Sequence, residues 1–334
     1  MDPVSDRNAI NAAAPRSAKW ADADPIAAFL DRDGALILDG GLATELERRG
    51  ADLDDPLWSA RLLIENPDLI RQVHHDYYAA GADVAITASY QASFPGLARR
   101  GLSATQAAAL MTRSVRLADE AREAFWSGLA NRAGRQRPLV AASIGPYGAH
   151  LHDGSEYRGD YGVSRAQLSD FHRERMAVLG GAGADLLACE TIPSRLEAEV
   201  LLELIEELPS ARAWLSFSCR DGAHISDGTS FADCVALANA SSRIVAVGLN
   251  CTPPQYAEAL VREAVEVADK PVLVYPNSGE RYQAVGNRWL PGEGVDDFVE
   301  SARRWHAAGA RLVGGCCRTG PREIEGIARA LRRV

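Results

Sequence analysis

Lysine is almost missing from this chain, occurring only at Lys19 and Lys270, so the basic charge is carried by arginine. That reads as codon bias rather than function. Positive charge is also in deficit: 36 Lys and Arg stand against 45 Asp and Glu, a net charge of -9. A generic nucleic-acid binder carries the opposite balance, so no nucleic-acid partner is expected. No apolar run approaches the ~20 residues that span a bilayer, which excludes a helical membrane anchor from the expectations. The stretch from Met1 to Asp24 has no apolar core of a secretory signal. Its Asp2, Asp6, Asp22 and Asp24 argue against a transit peptide. We expect a poorly ordered tail over 1–24, one domain over 25–334, and a cytoplasmic protein; nothing in the chain sets an oligomeric state. Also missing is the GxGxxG fingerprint of a dinucleotide fold, since Gly40-Gly41 lack the later glycine.

What is present is a repeating grammar. Eight short apolar runs recur: ALILD from Ala35, VAITAS from Val84, LVAASI from Leu139, LLACE from Leu186, AWLSFS from Ala213, IVAVGLN from Ile244, VLVY from Val272 and RLVG from Arg311. They are nearly continuous in apolar character rather than alternating, as in parallel strands buried on both faces. Between them lie segments of helical pattern. Asn66-Pro67, Ser164 and Ser194 read as helix starts. The stops AGAD, AGAD and AGAR precede three of the strands, with glycine as C-cap. Eight strand–helix units predict a (β/α)8 barrel of the α/β class, with a doubly wound sheet as the rival. SIGPYGAHLHDGSEYRGDY (Ser143 to Tyr161) reads as an extended loop after the third strand, and long loops in compact domains are often lids or binding loops.

A barrel carries its site at the C-terminal ends of its strands. There the sequence places Asp39-Gly40-Gly41, Tyr90-Gln91, Glu190-Thr191, Asn250-Cys251 and Cys316-Cys317. Six cysteines in a chain without a signal peptide do not suggest a disulfide framework. Cys189, Cys219 and Cys234 read as small buried hydrophobes. Cys251 belongs to the sixth strand and Cys316-Cys317 to the eighth, which in a closed barrel are separated by one strand. At ~4.8 Å per strand the sulfurs can meet around one ion. Three thiolates on zinc leave one position open, the mark of a catalytic site. Adjacent residues on a strand point to opposite faces, so both Cys316 and Cys317 can ligate only if the backbone turns, which Gly314-Gly315 would permit. On the residues alone, a metal site and a redox pair both stay open. Asp39 and Glu190 are carboxylates suited to a substrate ammonium, or to capping or ion pairing with an arginine. The seven histidines lack a partner pattern and read as structural.

LDGGLATELERRG, ITASYQAS, ACET, GLNC, YPNSGE and GGCCRT, in this order from Leu36 to about Ile327, resemble the homocysteine S-methyltransferase family. The S-methylmethionine-dependent bacterial and plant members are the most similar. The resemblance implies zinc held by Cys251, Cys316 and Cys317. It implies that Asp39 and Glu190 bind the amino-acid part of homocysteine near the backbone of Gly40 and Gly41, with Asn250 a weaker contact. It also implies small-molecule partners, homocysteine and a methyl donor. A sulfonium donor is held by aromatic faces through cation–π attraction. By position the candidates are Trp58, Tyr90, Tyr147, Tyr157 and Tyr161, with Trp58 and Tyr90 preferred. S-adenosylmethionine, betaine or methyltetrahydrofolate are the alternative donors, and selenocysteine an alternative acceptor. Cobalamin-dependent chemistry would call for further domains. A zinc hydrolase or aldolase fits three cysteines poorly. A thiol redox sensor would leave Asp39 and Glu190 without a role.

Overall fold

A computed structural model describes residues 24–53, 59–283, 288–290 and 297–332. The tail expectation thus lies outside the described residues except for Asp24, whose carboxylate accepts the Ile26 N–H at 2.9 Å.

The apolar runs are parallel strands: β1 (Leu36–Ile37), β2 (Val84–Ile86), β3 (Leu139–Ile144), β4 (Leu186–Ile192), β5 (Ala213–Phe217), β6 (Ile244–Asn250) and β7 (Val272–Tyr275). An antiparallel hairpin of β8 (Arg281–Gln283) and β9 (Arg288–Leu290), not anticipated from the sequence, precedes β10 (Ala310–Val313). Eight strands form one sheet in the order β1-β10-β7-β6-β5-β4-β3-β2. Its two ends meet without a ladder. The Asp83 N–H donates to Ile37 O at 2.7 Å, the Ile37 N–H to Asp83 Oδ2 at 3.0 Å, and the Ile86 N–H to Asp39 Oδ2 at 2.8 Å. The sheet is therefore nearly closed into an α/β barrel of the TIM type, and two aspartates stitch the seam.

Helix starts follow the local chemistry. The Asn66 side chain accepts the Leu69 N–H at 3.3 Å ahead of Pro67–Ala80. Ser164 and Gln167 form a capping box at the start of Arg165–Gly181, and Ser194 accepts the Glu197 N–H before Arg195–Glu206. Gly81, with φ of 111°, ends the first of these as the AGAD pattern requires. The segment 143–161 is less extended than its composition suggests: it contains a short helix, Tyr147–Leu151, and a 3-10 turn, Ser155–Tyr157.

Strand side chains alternate between two apolar environments. Val140, Ala142, Leu187, Leu215, Val247 and Val274 face the helices. Ala141, Leu186, Ala188, Trp214, Leu273 and Leu312 fill the barrel, and Ile26 and Phe29 close it from the N-terminal side. Continuing the inner parity toward the C-terminal ends gives Ser143, Glu190, Ser216, Asn250 and Tyr275, a polar layer above the apolar one.

His74, on Pro67–Ala80, is fully buried with neither ring nitrogen hydrogen-bonded among the described residues, and burial lowers its pKa to about 4. The unfolded chain therefore takes up a proton below pH ~6.5 that the folded chain refuses until about 4. Stability falls as pH drops through that window, by up to about 3 kcal/mol from this residue. His74→Leu is expected to raise the urea midpoint at pH 5 more than at pH 7.5. Equal shifts at the two pH values would show that His74 does not set the acid sensitivity.

Candidate active site

The polar layer is a connected network. Glu190 Oε1 accepts the Ser143 hydroxyl at 2.5 Å and Oε2 accepts the Tyr275 hydroxyl at 3.1 Å. Tyr275 Oη receives the Trp214 indole N–H at 3.1 Å and lies 2.7 Å from Ser216 Oγ. Ser216 donates to Asn250 Oδ1 at 2.9 Å. Asn250 also accepts the Thr191 N–H and donates to Thr191 Oγ1, both at 2.7 Å, which holds Thr191 at a φ of 60°. Such a conformation in a β-branched residue is costly and persists only where the surroundings enforce it.

Above this layer opens a cavity of about 410 Å³, lined among others by Asp39, Gly40, Gly41, Tyr90, Glu156, Tyr157, Glu190, Cys251, Cys316 and Cys317. Sequence reasoning and structure meet here for Asp39, Gly40, Gly41, Glu190, Tyr90, Tyr157 and the three cysteines. Asn250 does not line the cavity; its amide is committed to Thr191 and Ser216. Trp58 lies outside the described residues. Tyr147 and Tyr161 pack on each other, with Tyr147 also against Phe171 and the Tyr161 hydroxyl on Glu197, away from the cavity lining. Sequence reasoning missed Tyr275, Ser143 and Glu156. The first two were legible from strand parity, since each shares its strand's inner face. Glu156 carried no such signal because it sits on the turn after β3.

The sulfurs come together as the strand order requires. Cys251 Sγ is 3.1 Å from Cys316 Sγ and 3.4 Å from Cys317 Sγ, and the latter two are 4.0 Å apart. A tetrahedral ion at ~2.3 Å from each sulfur needs edges of about 3.8 Å, so small side-chain adjustments bring this set onto a metal. Gly314 and Gly315 have no positive φ; positive φ stands at Cys251 (50°) and at Arg318 (67°), the latter inside the turn that the Thr319 N–H closes on Cys316 O at 3.2 Å. The two glycines answer a different need, close approach: a Cβ on Gly314 would stand 2.6 Å from Leu38 Cβ, and one on Gly315 2.3 Å from Thr319 Oγ1. The Cys317 N–H donates to Asn277 Oδ1 at 3.1 Å and Cys316 O accepts the Thr319 hydroxyl at 2.7 Å, fixing the paired cysteines from both sides.

Electrostatics follow from this crowding. The thiols of Cys316 and Cys317 and the hydroxyl of Tyr157, 3.4 Å away, stabilise a thiolate on Cys251 and hold its pKa well below the usual thiol range. The Cys316 and Cys317 thiols are pushed up correspondingly. Cys189 and Cys234, away from the site, are raised by burial to about 12 and stay inert thiols. Burial raises Glu190 to about 7. Asp39 is driven well above the carboxylate range, first by burial and further by Glu190. Among the described residues Asp39 Oδ1 is buried with no hydrogen-bond partner. The cavity thus offers three soft, metal-competent sulfurs on one side and two mutually repelling, cation-seeking carboxylates on another.

A parallel barrel with three cysteines gathered at the C-terminal ends of its strands carries a group able to hold a metal ion inside a cavity, and the comparisons with known proteins narrow the class. The family model described as homocysteine S-methyltransferase matches residues 36–331. The homocysteine S-methyltransferase YbgG of Bacillus subtilis is 53% identical over 305 residues, covering 91% of this chain and 97% of its own length. Homocysteine S-methyltransferase 1 of Arabidopsis thaliana is 50% identical, covering 90% of this chain and 94% of its own. The crystal structure of the metallated form of the homocysteine methyltransferase MmuM from Escherichia coli superposes with a TM-score of 0.83 at 49% identity, over 92% of this chain and 99% of that one. The chain belongs to the homocysteine S-methyltransferase family, and it is a methyltransferase. No helix among the described residues is long and apolar enough to cross a membrane.

Proposed function

We propose that residues 25–334 act as one homocysteine-binding barrel. In this reading Cys251, Cys316 and Cys317 hold zinc, and a methyl group passes from a sulfonium donor, S-methylmethionine foremost, to the thiol of L-homocysteine, giving methionine. The observation that carries it is the three-sulfur cluster sharing one cavity with Asp39, whose buried Oδ1 lacks a partner among the described residues. Zinc bound by three thiolates supplies an open position at which a substrate thiol is deprotonated yet stays nucleophilic.

The chain's own residues do the rest. Asp39 and Glu190 receive the homocysteine ammonium, which relieves their mutual repulsion and gives Oδ1 of Asp39 its missing donor. Ser143 and Tyr275 hold the Glu190 carboxylate in place. Tyr90 offers an aromatic face to the donor. In the transfer the acceptor sulfur forms a bond to the methyl carbon. The donor's C–S bond breaks with its electron pair remaining on the donor sulfur, and the thiol proton leaves to solvent. Holding the two reactants at near-attack distance, ~3–3.5 Å, supplies much of the rate. The cavity volume, about 410 Å³, is at the small end of ligand sites, roughly 300–1,000 Å³.

The test is methionine formation by the zinc-loaded protein from homocysteine and a donor panel of S-methylmethionine, S-adenosylmethionine, betaine and methyltetrahydrofolate. The expected result is kcat/KM for S-methylmethionine at least tenfold above the others. A different preferred donor overturns the donor assignment alone; absence of transfer from any donor overturns the acceptor as well.

A further inference from the structure

We propose that Glu156 selects a positively charged methyl donor, its carboxylate meeting the donor's cationic sulfur centre beside the cysteine cluster. The inference rests on the function proposed above and adds to it the residue that imposes the donor's charge.

Glu156 lines the cavity together with Tyr90, Tyr157 and the cysteines. Among the described residues its buried Oε2 has no hydrogen-bond partner and no basic side chain pairs with it within 4.0 Å. The neighbouring Arg158 acts on Glu156 only at longer range, its guanidinium being held by Asp153, Asp160 and Ser155. The carboxylate has its own backbone N–H as a hydrogen-bond donor but no ion-pair partner, and a buried carboxylate oxygen without one is costly or is neutralised, so the placement anticipates a cation from outside the chain. The placement is also rigid. Glu156 O accepts the Ser218 hydroxyl at 3.1 Å, and a Cβ on Gly148 would come within 2.5 Å of Glu156 N, so the turn is seated directly on the backbone of Tyr147–Leu151.

Two acidic poles therefore serve the cavity. Asp39 and Glu190 stand on the strand ends and act on each other. Glu156 stands on the turn after β3, within electrostatic reach of Cys251, and the adjoining Tyr157 touches the same sulfur. The proposed reaction brings together two substrates, each carrying a cationic group. The first pole suits the acceptor's ammonium. The second, a carboxylate flanked by tyrosines next to the thiolates, suits a sulfonium. A neutral or anionic donor would leave Glu156 unpaired.

The donor's positive charge disappears as the methyl group leaves, so a carboxylate that holds it acts more strongly on the ground state than on the transition state. Removing it raises the donor KM and leaves kcat the same or higher. Glu156→Gln is expected to raise KM for S-methylmethionine about tenfold or more, since hydrogen bonds and contacts to charged groups are worth about that much. KM for homocysteine and zinc content should stay within twofold. Glu156→Asp, which keeps the charge, is expected to recover most of the donor affinity.

A measurement independent of turnover reads the charge directly. Calorimetry compares two unreactive isosteres of the donor, the cationic 2-amino-4-(dimethylamino)butanoate and the neutral homoleucine. The unmodified protein is expected to bind the cation at least tenfold better; Glu156→Gln should erase that preference and Glu156→Asp retain it. An undiminished preference in Glu156→Gln, or a parallel loss of homocysteine affinity and zinc, overturns the proposal. Should the unmodified enzyme transfer no methyl group to homocysteine, the function reading fails, while the calorimetric comparison still decides the role of Glu156.

Discussion

Replacing Cys316 by alanine should abolish metal binding and lower turnover by at least about 10³-fold, while the barrel stays folded. At pH 7 only a few per cent of a free thiol with a pKa of ~8.5 is thiolate. Loss of thiol deprotonation alone accounts for roughly 30-fold, and loss of substrate positioning for the remainder. The fold should survive because Cys316 is only partly buried at the cavity wall, and its backbone is tied by the Pro276 carbonyl and the Thr319 hydroxyl rather than by its sulfur. Cys251→Ala should behave alike, since Cys251 is the sulfur closest to both others. Cys234→Ala is the control: its thiol is buried on the helix Phe231–Leu237 and contributes to packing alone. Metal content by elemental analysis, circular dichroism and methionine formation check all three. A Cys316→Ala protein with full metal and full turnover would remove the cluster from the mechanism.

The second large effect is expected at Asp39. Asp39→Asn keeps an oxygen to accept the Ile86 N–H across the β1–β2 seam, so the barrel closure is retained, but it removes the charge from the unpartnered Oδ1. A buried charge-assisted contact of ~2–5 kcal/mol corresponds to a loss of about 30-fold or more in kcat/KM for homocysteine. Zinc content should be unchanged. The acceptor 4-mercaptobutanoate, which lacks the ammonium, separates the two roles of this carboxylate: with it, Asp39→Asn and the unmodified enzyme should differ little. An equal loss with both acceptors would mean that Asp39 acts through the seam and not through the substrate.

Those two roles illustrate where sequence reading stops. Asp39 was recognisable as a strand-end carboxylate, but its bond to Ile86 joins residues 47 positions apart and depends on how the sheet closes. Glu190 was found for the same reason as Asp39. Its partners Ser143 and Tyr275 are ordinary polar residues until the inner parity of three different strands is superposed. Asn250 stands next to a cysteine in sequence, which makes it a weaker candidate for substrate contact. The strand pleat turns it inward, beneath Thr191, whereas Cys251, at a φ of 50°, turns into the cavity.

The sequence by itself determined the elements and their class, because strands buried on both faces must be apolar throughout and helix starts need Asn66, Ser164 and Ser194 where they stand. It also pointed to which cysteines come together, since the ends of the sixth and eighth strands are separated by only one strand in a barrel closed in sequence order. Only the tertiary structure decided which backbone positions bend to bring three sulfurs within 4.0 Å, and which carboxylates are left without a cation. Backbone turns at Cys251 and Arg318 and the isolation of Asp39 and Glu156 arise from contacts between segments far apart in the chain. No local pattern of residue types encodes them.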